Sequence, residues 1–211
     1  MLIGEYEHSL DAKGRLIMPQ VQAIRDCLDH NQSIIAVKEE DYLNVLNNLI
    51  TPPALVICDS QIVDRMVKET PAEIKCTTFS ILMARFKGDL HKMVQGAQTI
   101  NKLQDGDKVL IAESCTHHAM EDDIGRVKIP NWLLKKTGKA LQIDHVSGCD
   151  FVSNLSEYKL VIQCGGCTIN RREILSRIYK CERAGVAITN YGVCISELKG
   201  VLPRVLEPFG I

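Results

Sequence analysis

Short apolar runs alternate with longer amphipathic segments along most of this chain. The short runs are typical of buried strands, and segments such as 39–50, with Leu43, Leu46 and Ile50 on one face, are typical of helices. The predicted strands are 33–37, 54–58, 108–112, 141–146, 158–163 and 186–189, and the predicted helices are 20–28, 39–50, 61–69, 78–89, 90–103, 130–136, 169–184 and 192–201. Because strands that alternate with helices form parallel sheets through right-handed crossovers, the pattern predicts an α/β fold with mainly parallel sheets in two small three-layer domains.

The first residues follow a different pattern. Residues 5–19 alternate loosely in the manner of a β-hairpin, with a turn signal at 11–14 between its arms. Further along, a polar turn at 104–107 separates the first series of elements from the second. We therefore predict a short hairpin-like lead at 1–19, a first domain at 20–104 and a second domain at 105–211.

Two cysteine-bearing elements follow two of the predicted strands. Cys164-Gly165-Gly166-Cys167 comes directly after the strand at 158–163, and the C-x-H element of Cys115 and His117 follows the strand at 108–112. Sites in open α/β sheets form outside the carboxyl ends of the strands. Both elements would therefore lie at one edge of a sheet if these two strands are parallel neighbours.

The residue types in these elements indicate a soft-ligand metal site. Gly165 and Gly166 are candidate cofactor-binding residues, because they let the loop bend tightly and leave its backbone N–H groups free to face an anionic thiolate or sulfide. Three interpretations stay open: a zinc site, which spacing alone favours, an iron–sulfur cluster with an exchangeable fourth ligand, and a dithiol redox pair. The candidate metal ligands are Cys115, Cys164, Cys167, His117 and, as an oxygen donor, Glu113.

Composition and charge indicate the class of protein and the compartment in which we expect it. Of 211 residues, 45% are hydrophobic and 24% are charged, as in ordinary globular proteins, and the net charge of -1 gives no reason to expect nucleic-acid or membrane affinity. The first residues lack the apolar run of a signal peptide, so we expect a cytoplasmic protein without a membrane partner. The remaining cysteines stand singly in apolar or helical contexts and are predicted to be structural thiols: Cys27, Cys58, Cys76, Cys149, Cys181 and Cys194.

Common catalytic motifs do not occur in the sequence. There is no P-loop of the form G-x-x-x-x-G-K-[ST], so nucleotide hydrolysis is not expected. The G-x-S-x-G and H-E-x-x-H motifs are also missing. We therefore expect a protein that is not an enzyme.

Several stretches resemble known families. Residues 5–19 are similar to the start of the MraZ transcriptional regulators, whose D-x-K-G-R-L-x-x-P element belongs to a DNA-binding fold. From about residue 14 to residue 209 the chain resembles the last two domains of HydF, the maturation protein for the H-cluster of FeFe hydrogenases. The matching stretches are KGRL at 13–16 through 19–20, FSILMARFKGDL at 79–90, CTHH at 115–118, EDDIGR at 121–126 with the proline at 130, CGGC at 164–167 and NRRE at 170–173.

The resemblance to HydF implies a homodimer in which residues 20–104 form the dimerisation domain. Residues 105–211 would form a domain that binds a 4Fe-4S cluster through a C-x-H…H-C-x-x-C pattern. Cys115, Cys164 and Cys167 match its thiol positions and His117 matches its first histidine, whereas the second histidine is replaced by Gln163, which leaves the fourth iron ligand open. The implied partners are the apo FeFe-hydrogenase and the radical-SAM maturases HydE and HydG, with a di-iron subcluster as transient cargo. HydF proteins also carry a GTPase domain that this sequence does not contain, so GTPase activity is not inferred.

These observations give one leading hypothesis and two alternatives. The leading hypothesis is a non-enzymatic scaffold or carrier for hydrogenase cluster assembly. The first alternative is a DNA-binding regulator that uses residues 1–19, and the second is a zinc-stabilised interaction module.

Overall fold

The computed structural model describes the backbone of Leu2–Glu5 and residues 16–114, 123–148 and 151–211. The chain divides into two compact units. The first unit comprises Met1–Leu82 together with Lys199–Ile211, and the second comprises Met83–Leu198. Each unit contains a four-stranded sheet in which all described pairings are parallel, which confirms the predicted α/β class.

The sheet of the first unit has the strand order β2-β1-β3-β4. Its strands are β1 (Leu2–Glu5), β2 (Ile35–Lys38), β3 (Leu55–Cys58) and β4 (Lys75–Thr78). The helices are α1 (Met18–Asp29), α2 (Tyr42–Asn47), α3 (Val63–Glu69) and α4 (Phe79–Lys87), the last of which runs across the division at Leu82, together with the C-terminal helix α9 (Leu202–Leu206). Asp59 starts the segment that leads into α3, because its side chain accepts a hydrogen bond from the Gln61 N–H at 2.8 Å.

The N-terminal residues differ from the predicted hairpin-like lead. The strand Leu2–Glu5 lies between β2 and β3 and runs parallel to both, with Ile3 opposite Ala36 on one side and Ile57 on the other. On the far side of residues 6–15, which lie outside the described residues, α1 already begins at Met18. Pro19 is favoured in this first helical turn, because its fixed φ suits a helix start and the missing N–H is not needed there. Residues 16–19 therefore do not form a second hairpin arm.

The sheet of the second unit has the strand order β6-β5-β7-β8. Its strands are β5 (Lys108–Glu113), β6 (Gln142–Ser147), β7 (Leu160–Gln163) and β8 (Ala187–Asn190). Its helices are α5 (Leu90–Gln98), α6 (Ile129–Thr137), α7 (Arg171–Ala184) and α8 (Tyr191–Leu198). Gly185 ends α7 in the left-handed conformation at φ +69°. The described residues contain no helix with the length and apolar character needed to cross a bilayer.

The division of the chain differs from the boundaries expected at residues 19 and 104. Helix α5 belongs to the second unit, because Gly96 packs so closely on β8 that a Cβ there would be 1.9 Å from the Ile188 carbonyl oxygen. The last residues belong to the first unit, where the Arg204 guanidinium donates to the carbonyl oxygens of Pro71 and Ile74. Both differences come from packing between segments far apart in the sequence, which local turn signals do not reveal.

Candidate metal centre

Strands β5 and β7 are direct neighbours in the second sheet. They run parallel, and Ala112 of β5 lies opposite Gln163 of β7. Because the carboxyl ends of neighbouring parallel strands meet at one edge, the segments that follow these strands start side by side. The predicted metal site required these two strands to be parallel neighbours, and the sheet confirms that they are.

Cys164 is held against the end of β5 by two backbone contacts. Its own N–H donates to the Ala112 carbonyl oxygen at 2.9 Å, and its Sγ accepts a hydrogen bond from the Ser114 N–H at 3.1 Å. Ser114 is the residue before Cys115 in the sequence. Cys115 and His117 lie outside the described residues. The contact with Ser114 therefore ties the CGGC loop to the point where the C-x-H element begins.

The CGGC loop turns sharply between its two thiols. Gly166 adopts φ +62°, a conformation that favours glycine, and a Cβ at this position would lie 2.6 Å from the end of the Ile174 side chain, which would have to shift. Cys164 and Gly165 are half-buried, whereas the Cys167 side chain is exposed.

The ionisation of Cys167 depends on its surroundings, Cys164 among them. The pKa of the Cys167 thiol is raised, chiefly because the surrounding loop partly desolvates it and next because of the negative charge that Cys164 would carry. The backbone N–H of Cys167 and the Lys87 ammonium act in the opposite direction. A metal at this site would therefore have to displace the proton of Cys167 when it binds.

Lys87 is a buried cation beside this loop that the sequence analysis did not single out. Only 8% of the residue is exposed, and its Nζ donates to the carbonyl oxygens of Gly166 at 3.0 Å, Cys167 at 3.1 Å and Ile169 at 3.0 Å. A signal was present in the sequence, because this lysine ends a mostly apolar helix directly before Gly88. A lysine at a helix end is usually solvated, however, and the contact to a loop far along the chain has no local signature.

Glu113, the candidate oxygen ligand, is the last residue of β5 and is 4% exposed, so its carboxylate is buried. Its carboxylate accepts hydrogen bonds from the Ser147 hydroxyl at 3.2 Å and the Tyr191 hydroxyl at 3.4 Å, and the Arg126 guanidinium lies 3.9 Å away. Burial, followed by the charge of Glu113, raises the pKa of Tyr191 far above its usual value. Tyr191 therefore stays protonated and serves as a donor to the carboxylate.

Arg177 connects three segments around the site. Its guanidinium donates to the Ser114 hydroxyl at 3.3 Å and the Gly148 carbonyl oxygen at 2.8 Å, while it pairs with Glu173 on its own helix. The same group stacks over the Phe151 ring at 5.2 Å, and the residue is 1% exposed. Arg177 thus fixes Ser114, whose backbone N–H faces the Cys164 sulfur.

Gln163 occupies the position before Cys164 and is 1% exposed. Its Oε1 has no hydrogen-bond partner among the described residues. An unpaired buried amide oxygen costs about 1–3 kcal/mol, because it gives up its hydrogen bonds to water without a replacement.

Five of the six cysteines predicted to be structural lie among the described residues. Cys58, Cys76, Cys181 and Cys194 are buried and Cys27 is half-buried, while Cys149 lies outside the described residues. Burial raises the pKa of each of the four buried thiols, which therefore stay protonated. Within the described ranges no group of three or more His, Cys, Asp and Glu residues is close enough to hold a metal ion.

The fold and this edge define a two-unit α/β protein with a cysteine-bearing candidate metal centre at the carboxyl ends of β5 and β7. Two family models match it: the Hydrogen maturase F dimerization domain over residues 6–88 and the Hydrogen maturase F tetramerization domain over residues 91–208. The chain therefore belongs to the hydrogen maturase F family, as its resemblance to HydF indicated. A comparison with curated proteins gives no match.

Family membership supports a role in hydrogenase maturation, and the dimerization-domain match supports a homodimer. The division between the two matches also falls near residue 90, close to the division at Leu82 between the two compact units.

Proposed function

We propose that this protein is a scaffold or carrier in FeFe-hydrogenase maturation that binds a 4Fe-4S cluster at the carboxyl edge of its second sheet. The observation that supports this proposal is the 3.1 Å contact between the Ser114 N–H and the Cys164 sulfur. It joins the end of β5, where the C-x-H element starts, to the loop that carries Cys164 and Cys167.

The donor chemistry of the described residues fits an anionic cluster. Cys164 and Cys167 would be two of its thiolate ligands, and Cys115 would be the third. The N–H group on the Cys164 sulfur is the type of hydrogen bond that stabilises a cluster thiolate, and the exposed Cys167 leaves a route for iron and sulfide. When bound, a 4Fe-4S cluster with three cysteine ligands supplies one iron atom that can exchange its fourth ligand.

An exchangeable fourth position would suit a carrier. His117 and Glu113 remain the candidates for that position from this chain. Glu113 already accepts two hydrogen bonds, so these bonds would have to loosen before it could reach an iron atom. A di-iron subcluster would be the transient cargo, received from a system that includes the maturases HydE and HydG and delivered to the apo-hydrogenase.

Transfer of the cargo tests this function directly. The reconstituted protein is loaded with the di-iron subcluster, freed of small molecules and mixed with apo-hydrogenase under anaerobic conditions. We expect hydrogen evolution to appear with the wild type and with Cys27→Ser, whose thiol is remote in sequence from the site, and to be lost with Cys167→Ser. Equal activation by Cys167→Ser and Cys27→Ser would contradict the proposal.

Zinc is the alternative metal, because three thiolates and an imidazole suit it equally well. A protein that retains one zinc per chain and no acid-labile sulfide after anaerobic reconstitution would be the zinc-stabilised interaction module.

A further inference from the structure

Lys87 has three hydrogen-bond acceptors for the three N–H groups of an ammonium. The carbonyl oxygens of Gly166, Cys167 and Ile169 all lie at 3.0–3.1 Å from its Nζ. A neutral amine has only two N–H groups and could not donate to all three oxygens. The three contacts therefore give each N–H group of the ammonium one acceptor.

The end of α4 is fixed against the same loop from a second side. Arg171, in the first turn of α7, donates to the Phe86 carbonyl oxygen at 2.7 Å and contacts the Gly88 carbonyl oxygen at 3.5 Å. The last turn of α4, the CGGC loop and the start of α7 are thus joined by hydrogen bonds from two cations.

The positive charge of Lys87 has no anionic partner within ion-pair distance among the described residues. Carbonyl dipoles solvate an ammonium but do not neutralise it, and burying such a charge without a counter-ion is costly. A cluster held by thiolates carries the negative charge that would compensate it. The loop between Cys164 and Cys167 is the part of the described chain where that charge would be placed.

We propose that Lys87 is a positioning residue that holds the CGGC loop in its ligand-binding conformation and stabilises the negative charge of the bound cluster. The first role needs only the apo protein. The second role rests on the proposed function, because it requires the cluster to be present.

The apo protein tests the first role by hydrogen exchange of the loop amides at 164–169. In Lys87→Met the carbonyl groups of Gly166, Cys167 and Ile169 lose their common hydrogen-bond donor. Because the loop then opens more often, we expect its amides to exchange about tenfold faster or more. Lys92→Met is the matched control, since Lys92 also lies on a helix of the second unit but pairs with Glu182 at the surface. Wild-type exchange rates in Lys87→Met would overturn the first role.

Lys87→Gln keeps two N–H donors without the charge and serves in place of Lys87→Met if the methionine variant does not fold. We expect its loop amides to exchange at rates between those of the wild type and Lys87→Met. Exchange in a folded Lys87→Gln variant that equals the wild type would also count against the first role.

The reconstituted protein tests the second role through the midpoint potential of the cluster, followed by electron paramagnetic resonance during a redox titration. Loss of a nearby positive charge disfavours the more negative reduced state, so we expect Lys87→Gln to shift the potential to a more negative value. Lys87→Arg should keep the wild-type potential, and so should Lys92→Met. An unchanged potential in Lys87→Gln would overturn the second role.

The two proposals fail in different ways. If the wild type takes up no iron and sulfide, the proposed function is wrong, while the exchange rates of the apo protein still decide whether Lys87 holds the loop. If the wild type loads normally and Lys87→Gln has both the exchange rates and the potential of the wild type, only the role of Lys87 is wrong.

Discussion

Gly125 lies so close to the Glu113–Tyr191 pair that any side chain at this position would collide with it. A Cβ on Gly125 would be 2.1 Å from the Tyr191 hydroxyl oxygen and 2.8 Å from Glu113 Oε1, whereas real Cβ atoms do not approach within 3.0 Å. In Gly125→Ala the Tyr191 ring, the Glu113 carboxylate or the short π-helix Ile124–Lys128 must therefore move. We predict that this variant lowers the free energy of unfolding of the second unit by about 1–3 kcal/mol, the usual cost of overpacking.

A second substitution separates this collision from other effects of the alanine. Tyr191→Phe removes the hydroxyl oxygen and with it a long hydrogen bond of 3.4 Å to Glu113, at a cost of about 1 kcal/mol. In the double variant the alanine no longer meets that oxygen, although Glu113 Oε1 and the ring carbon at 3.0 Å remain. We expect the double variant to be about 1 kcal/mol more stable than the sum of the two single losses predicts.

Urea unfolding followed by Trp132 fluorescence measures these differences. Trp132 is the single tryptophan of the chain and lies on α6, so its signal reports the second unit. With a denaturant dependence of about 2 kcal/mol per molar urea, a loss of 2 kcal/mol lowers the midpoint by about 1 M. A wild-type midpoint in Gly125→Ala, or strictly additive losses in the double variant, would refute this account of the sheet edge.

Two further predictions concern the same unit. Arg177→Met removes the buried guanidinium that contacts Ser114 and Gly148, and we expect it to lower the free energy of unfolding by about 3 kcal/mol or more in the same urea assay. The control Arg183→Met, at an exposed position, should have little effect. Equal urea midpoints for the two variants would contradict the role of Arg177. Stability should also fall as the pH rises above about 9, because burial raises the pKa of Cys181 from 9.0 and that of Tyr158 from 10.0, each to about 12. Above pH 9 the unfolded chain then holds fewer protons than the folded one, so a urea midpoint that stays constant or rises between pH 7 and pH 10 would count against these buried groups.

The sequence predicted the parallel α/β class and most helices and strands, because apolar runs and amphipathic segments are local properties of the chain. It also placed the CGGC loop and the C-x-H element after strands that prove to be neighbours. Strand β1 was missed because its apolar run, Leu2 and Ile3, is only two residues long before Gly4. Strand β4 was missed because Lys75–Thr78 lacks the apolar run used to recognise the others.

The contacts that organise the candidate site could not be predicted in the same way. Lys87 and the loop at 166–169 are far apart in the sequence, and the same holds for Arg177 and Ser114. Their pairing depends on which strands become neighbours and on which helix ends meet. The thiols could therefore be identified from the sequence, whereas the placement of Lys87 and Arg177 near them could be seen only in the fold.

Metal and sulfide content after anaerobic reconstitution tests the central claim most directly, with Cys164→Ser compared with the wild type and with Cys27→Ser. We expect about four iron atoms and about four sulfides per chain in the wild type and in Cys27→Ser, and a large loss of both in Cys164→Ser. Equal iron retention in the two variants, or one zinc per chain without sulfide in the wild type, would contradict it.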